Sequence, residues 1–210
     1  MDLDDRGPAD LPWSPACERN REPIRAVLER WLSESTGTRD ARILEIGGGT
    51  GQHAEYFSTA LPWLHWQTTD RREYLSGLRA RTHHCNRDNL PPPLELDVTW
   101  PEWPELVFDH VFTANTCHIM HWPAVEAMFN GIARRLPHGG LVFVYGPFHR
   151  NGEPTSPSNR DFDASLRTRD PGMGIRDDAV MAALAEPLDL AWVGDEALPA
   201  NNRMLVWQRV

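Results

Sequence analysis

Lysine is absent from this chain: all 21 basic residues are arginine, an imbalance that carries no functional reading by itself. Long apolar runs are missing too. No stretch approaches the ~20 apolar residues that a membrane span needs, so a soluble protein with no membrane partner is expected. Cysteine is scarce. Cys17, Cys85 and Cys117 are odd in number and fall in no CxxC pattern, so they read as reduced thiols of a cytoplasmic protein rather than a disulfide frame. The opening MDLDDRGPADLP is acidic and lacks the apolar stretch of a signal peptide. Positive charge is in deficit. A formal net charge of −9 repels phosphate backbones, so nucleic acid is not the expected partner. Metal-ligand spacing is missing as well: His83-His84-Cys85 and His118-x-x-His121 have no second half at zinc-finger spacing, and no metal is expected.

What is present is ordinary globular composition, with 40% hydrophobic and 24% charged residues over a length of 210 that suits a single domain. Residues 1–12 are polar and punctuated by Pro and Gly, and are expected to form a flexible tail ahead of a domain at 13–210. Ser14-Pro15 predicts a short helical turn, and Pro23 opens a clearer helix on Ile24, Val27, Leu28, Trp31 and Leu32, with Gly37 in the loop beyond. Together they make an N-terminal helical segment over 13–33. Strands are predicted at 42–46, 65–69, 94–98, 109–114 and 141–145. Helices are predicted around Ala54, Phe57 and Leu61, around Tyr74, Leu75 and Leu78, and over 122–136. The polar stretch 146–176 reads as a lid-like insertion with one helix near Phe162–Arg169. A helix over 177–186 and two strands at 188–193 and 204–207 close the chain. Alternating strands and helices predict a parallel sheet covered on both faces, and two late strands without a crossover helix must pair antiparallel.

The sharpest local signal is Glu45-Ile46-Gly47-Gly48-Gly49-Thr50-Gly51 at the end of the first strand. Glycines there let the backbone turn tightly and approach a ligand closely. Asp70 lies about twenty residues beyond Gly51, at the predicted end of the second strand, where a carboxylate can accept both hydroxyls of a ribose. Two readings compete. Gly49 to Ala54 fits the G-x-G-x-x-A of a dinucleotide site and an NAD-dependent oxidoreductase, but it begins two residues after the strand end. The whole stretch fits E-x-G-x-G-x-G, the glycine signature of class I methyltransferases that use S-adenosylmethionine (SAM). A carboxylate at Glu45 would compensate the ammonium and sulfonium of that cofactor.

LEIGGGTGQHAEYF, LDVTWP, VFTANTCHIMHW, AVEAMFNGIARRLPHGGLVFVYGPF and PANNRMLVWQR resemble the Domain of Unknown Function 938 family, which comprises class I methyltransferase-like relatives of methyltransferase-like protein 26. The likeness runs from about Trp13 to Arg209 and includes SPACERN and RNGEPTSPSNRDFDASLRTRDPGMGIRD. It implies an α/β, Rossmann-like three-layer sandwich with a seven-stranded sheet in order 3-2-1-4-5-7-6 and strand 7 antiparallel. It further implies that Glu45, Gly47, Gly49 and Gly51 surround the methionine moiety, that Asp70 binds ribose, that Asp97 and the Val98 backbone face adenine, and that Asn115 sits beside the reactive methyl. Cys117 stands where the family carries leucine, which reads as a packing substitution.

Transfer from a sulfonium is an in-line displacement that chiefly needs the acceptor held about 3 Å from the methyl carbon. A base is needed only for a protonated acceptor, and the chain shows no catalytic triad. The expected reaction is SAM-dependent methylation of a small molecule with S-adenosylhomocysteine (SAH) as product; a SAM-binding sensor or partner subunit without catalysis is the alternative. Catalytic candidates are Asn115, His118, Tyr145 and His149. His118 and His149 could equally be structural. Arg19, Asn20, Arg150 and Arg160 could bind an acidic acceptor, or the arginines could pair with Glu18, Glu22, Asp161 or Asp163. SPACERN and the stretch 159–176 are expected to fold over the cofactor as a lid.

Overall fold

The computed structural model describes residues 11–36 and 40–210, so most of the predicted tail, and Gly37, lie outside the described residues. The chain divides into two compact units, one ending at Phe112 and the other beginning at Thr113. The first opens with helix α1 (Pro15–Thr36). Two helical pieces were expected around Pro15 and Pro23; instead α1 runs straight through Pro23. Proline there removes one bond to the Arg19 carbonyl. Burial of Ile24, Val27, Leu28 and Leu32 outweighs that loss.

Strand β1 (Ala41–Ile46) leads through the glycine loop into helix α2 (Gln52–Ala60), which packs against α1. Strand β2 (Leu64–Asp70) pairs parallel with β1 from Ala41↔Leu64 to Ile46↔Thr69, which puts the loop and Asp70 at the same end of the sheet. Under them, Trp66 sits 5.0 Å from Phe57 and 5.3 Å from Phe112, ring centre to ring centre, in the middle of this unit's core. Helix α3 (Leu75–Cys85) follows. Strand β3 (Leu94–Glu95) pairs parallel with β2 but is only 2 residues long, against an expected strand over 94–98. The cause is Asp97, whose Oδ1 accepts from the Thr99 N–H at 2.9 Å and the Thr99 hydroxyl at 2.7 Å and so draws the chain into a turn. The unit boundary falls inside β4 (His110–Ala114).

In the second unit, helix α4 (Trp122–Ala133) precedes the fully buried strand β5 (Leu141–Gly146). The polar stretch after it is more ordered than expected. Strands β6 (Phe148–Arg150), β7 (Glu153–Pro154) and β8 (Arg176–Asp177) form a small sheet in order β7-β6-β8. Helix α5 (Pro157–Arg169) is capped by Ser156 and starts earlier than predicted. Helix α6 (Asp178–Ala185) then leads to the antiparallel hairpin of β9 (Leu190–Leu198) and β10 (Asn202–Arg209). The main sheet has seven strands in order β3-β2-β1-β4-β5-β10-β9, with β10 antiparallel to both neighbours, as the sequence implies.

A charge cluster, buried at Arg203 and Asp178 and exposed at Asp195 and Arg150, ties β10 to α6 and β9. Arg203 Nη1 donates to Asp178 at 2.7 Å, and Arg203 also pairs with Asp195. Arg150 joins from β6, reaching Asp178 at 3.2 Å and Asp195 at 2.5 Å. Burial alone would raise the Asp178 pKa, but bonds from Arg203 and Arg150 outweigh it and hold the carboxyl below its usual range. A depressed folded-state pKa contributes stability that is present above the unfolded value and lost as pH falls through the folded one. Asp178→Ala should therefore cost about 3 kcal/mol in urea unfolding at pH 7. The penalty should shrink only as pH falls below the ordinary carboxylate range, where the wild type loses the same charge.

Candidate cofactor site and acceptor-side residues

The loop after β1 is built from glycine for two distinct reasons. Gly47, Gly49 and Gly51 hold φ of 75°, 55° and 74°, the left-handed region that side chains other than Asn and Asp rarely enter. Gly48 is needed for space: a Cβ there would lie 2.1 Å from Thr68 Oγ1 and 3.3 Å from Glu45 Oε2. The Gly47 and Gly48 N–H groups both donate to the Thr69 carbonyl at 3.0 Å, pinning the loop onto the end of β2. Gly48→Ala should cost 1–3 kcal/mol by overpacking, read as a lowered midpoint in thermal or urea unfolding.

Two carboxylates flank this loop. Glu45 is 2% exposed and accepts a hydrogen bond from Trp66 Nε1 at 3.0 Å. Burial pushes its pKa up to about 7, despite the Trp66 bond, and the neighbouring Asp70 adds to the rise. Asp70 is 9% exposed, and its Oδ2 accepts the Gly49 N–H and its Oδ1 the Arg71 N–H, each at 2.8 Å. Burial raises its pKa as well, against those two bonds. Among the described residues neither acid forms an ion pair; Arg71, which acts on Asp70, is itself bonded to Glu73 at 2.6 Å. Asp97 lies in the turn beyond β3 rather than at a strand end, bonded to Thr99. Val98 is buried, and its carbonyl accepts from Trp103 Nε1 at 3.3 Å.

The SPACERN segment packs on the same loop. The Ser14 N–H donates to Gln52 Oε1 at 2.6 Å, and Cys17 Sγ lies 4.0 Å from Thr50 Oγ1. Asn20 is buried and bonded to His53 Nε2 at 2.8 Å, so its side chain is spent inside the unit. Arg19 is exposed on α1. One residue missed in the sequence does most of the bracing. Arg81, 7% exposed, bonds the Thr50 carbonyl at 2.6 Å, the Pro12 carbonyl at 2.6 Å and Glu55 at 2.5 Å. Its targets lie far along the chain, and no local pattern announces them.

The second unit gathers other candidates. Asn115 follows β4 with φ 59°, and its N–H donates to the Tyr145 carbonyl at 2.8 Å. Its Oδ1 and His118 Nδ1 each lie 3.8 Å from where a Gly146 Cβ would stand, so the two side chains converge over that glycine. His118 is buried, packs edge-on against Phe162 at 5.3 Å, and makes no ring hydrogen bond among the described residues. Burial lowers its pKa to about 4, helped by Arg176 and Arg169, so the imidazole is neutral at pH 7. Tyr145 is buried at the end of β5. His149 Nε2 lies 3.8 Å from Asp163. Arg150 and Arg160 are both engaged: Arg150 by Asp178 and Asp195, Arg160 by Asp161 at 3.3 Å. Cys117 is buried, and burial pushes its thiol up to about 11, in keeping with a packing role.

No group of three or more His, Cys, Asp or Glu among the described residues is placed to hold a metal. No helix among them is long and apolar enough to cross a membrane. Comparison with known proteins places the fold. The SAM-dependent methyltransferase SibL, in its apo form, superposes with a TM-score of 0.75 at 19% identity, covering 92% of this chain and 55% of that one. An O-methyltransferase family 2 protein from Planctomyces limnophilus, in complex with apigenin, gives 0.70 at 17% identity over 100% and 56%. Human N-acetylserotonin methyltransferase, in complex with SAM, gives 0.69 at 14% identity over 90% and 54%. This chain spans about half the length of each, and at such identities the likeness establishes the fold alone. The family model described as a protein of unknown function, DUF938, matches residues 11–209. The chain therefore belongs to the DUF938 family and has the fold of the class I methyltransferases.

Proposed function

We propose that this protein binds SAM and transfers its methyl group to a small-molecule acceptor. The observation that carries the reading is the pair of carboxylates, Glu45 and Asp70, on either side of a glycine loop, neither in an ion pair among the described residues. Buried acids without a counter-charge are costly, and a cationic ligand over the loop relieves that cost. Asp70 suits the ribose of either cofactor, but Glu45 beside the loop would repel a dinucleotide pyrophosphate, which disfavours the oxidoreductase reading. Asp70 uses one lone pair on each oxygen for backbone N–H groups. A carboxylate offers about four, so both oxygens can still accept from ribose hydroxyls. Gly47, Gly49 and Gly51 would let the backbone close on the methionine moiety, and Asp97 with Val98 would border adenine.

The bound cofactor supplies an electrophilic methyl carbon and a neutral thioether leaving group. The residues have correspondingly little chemistry to perform. Asn115, Tyr145 and His118 are proposed to position the acceptor, and the neutral His118 ring, with no ring hydrogen bond among the described residues, can take up the proton of an acceptor hydroxyl or amine. His149, held near Asp163, is the alternative proton acceptor. Arg81 and the residues around SPACERN act by holding the glycine loop. That bracing predicts that removing residues 1–20 weakens SAM binding as well as turnover.

Thermal denaturation with ligands tests the reading. A ligand bound only by the native state raises apparent stability by about 2.7 kcal/mol at a hundredfold excess over Kd. SAM and SAH should each raise Tm by several degrees, and NAD should leave it unchanged. A shift with NAD and none with SAM or SAH would reverse the assignment.

A further inference from the structure

The second unit contains the electrostatic counterpart of Glu45 and Asp70: a guanidinium with no ion pair among the described residues. Arg176, half-buried in β8, donates through Nε to the Cys117 carbonyl at 2.9 Å. Its Nη2 donates to the carbonyls of Met120 and, at 2.9 Å, Gly172. All three partners are neutral. No carboxylate lies within ion-pair distance of Arg176 among the described residues, and its Nη1 hydrogens have no protein partner there. The nearby acids are already engaged. Asp163 is bonded to Arg167 at 2.8 Å and to the Ile175 N–H at 2.7 Å, and Asp170 is bonded to His121 at 2.9 Å. Arg169 adds a second cation, which bonds the Met173 sulfur at 3.5 Å and forms no ion pair among the described residues, although its charge acts on Asp170.

The surroundings of this charge are aromatic. The guanidinium carbon sits 5.9 Å from the centre of the Trp122 ring. Arg176 and Arg169 are both close enough to depress the His118 pKa, and His118 packs on Phe162, which keeps 41% of its surface exposed. The Gly174 N–H donates to the His118 carbonyl at 2.9 Å, so the segment bearing Arg176 is anchored to the turn that carries His118. In a protein of net charge −9, Arg176 and Arg169 thus bring positive charge beside neutral rings. Asp163, already bonded to Arg167, acts on Arg176 only at a distance, so a half-buried arginine held by carbonyls can still gain from an anion at its free Nη1 edge.

We propose that the methyl acceptor is a small aromatic carboxylate, with its carboxylate held by Arg176 Nη1 and its ring laid against Phe162 and His118. The carboxylate is a recognition handle, separate from the atom that is methylated. This inference rests on the methyltransferase reading, and its test keeps the two apart. Protein is titrated calorimetrically with SAH, then with benzoate or with the isosteric, neutral benzamide, in the presence and absence of SAH. Benzoate should bind saturably in the millimolar range, with benzamide at least tenfold weaker. Arg176→Met should abolish the benzoate heat, and Arg134→Met, at an exposed arginine of α4's C-terminus bonded to the Asn130 carbonyl, should leave it intact. Absence of SAH binding would overturn the cofactor reading. Equal binding of benzoate and benzamide, or no binding of either, would overturn the acceptor inference. Because Arg176 also clamps three carbonyls, its variant could fail to fold. Wild-type crystals soaked in 4-bromobenzoate supply an independent readout: bromine signal beside Phe162, with the carboxylate on Arg176, supports the proposal, and a site elsewhere overturns it.

Discussion

Asp70→Ala is expected to lower SAM affinity by about a hundredfold or more while leaving the fold intact. A hydrogen bond to a charged acceptor contributes about 1.5–3 kcal/mol, so losing two from ribose hydroxyls removes at least about 3 kcal/mol. At 1.4 kcal/mol per decade that is a hundredfold. Asp70→Asn keeps one acceptor oxygen and should fall in between, near tenfold. The effect on folding has the opposite sense. The Asp70 pKa is raised by burial, so its ionised form is a burden on the ligand-free protein at neutral pH. The asparagine variant should therefore be no less stable than wild type without ligand, although its affinity has fallen. Calorimetric titration gives the first quantity and urea unfolding the second. Equal losses in both would mean that Asp70 serves only to hold Gly49 and Arg71.

Glu45 yields the second large effect, a pH dependence of binding. Its pKa of about 7 in the ligand-free protein leaves about half the molecules protonated at neutrality. A cation about 6 Å away, at an effective dielectric of about 20, favours the carboxylate by roughly 2.8 kcal/mol, or about two pKa units. SAM affinity should then rise with pH, by up to tenfold per unit between about pH 5.5 and 7, and level off above. The ligand-free protein should respond in reverse. A folded pKa above the ordinary 4.5 contributes stability that is complete below 4.5 and lost as pH climbs through about 7. Glu45→Gln should flatten both curves. A wild-type affinity that stays level from pH 5.5 to 8 would remove Glu45 from the charge balance of the site.

The parts of this protein legible in its sequence are those whose physics is local. Glycine at 47, 49 and 51 reports backbone angles that other residues resist, and the short spacing of the last two strands leaves only a hairpin. Asp70 follows because β2 ends where β1 ends. What escaped was either too short or too distant in sequence. Strands β6, β7 and β8, of two or three residues, carry no periodicity, and their register is set by neighbours rather than by side-chain alternation. Arg150 read equally well as a substrate contact or an ion-pair partner, and one of its acids, Asp195, lies 45 residues away. Arg81 and Arg176 act on carbonyls 31 and 59 residues distant, which no motif records. Pro23 misled because a helix already fixed by buried Ile24, Leu28 and Leu32 tolerates one missing bond.

The acids at the glycine loop suit a cationic donor, and Arg176 is proposed to take an anionic acceptor. The donor half is the foundation, and isothermal titration of the purified wild-type protein with SAH at pH 8 addresses it directly. Saturable one-to-one binding with a micromolar Kd, abolished or weakened a hundredfold in Asp70→Ala, is the expected result. Absence of heat up to millimolar SAH, or the same Kd in wild type and Asp70→Ala, would contradict it.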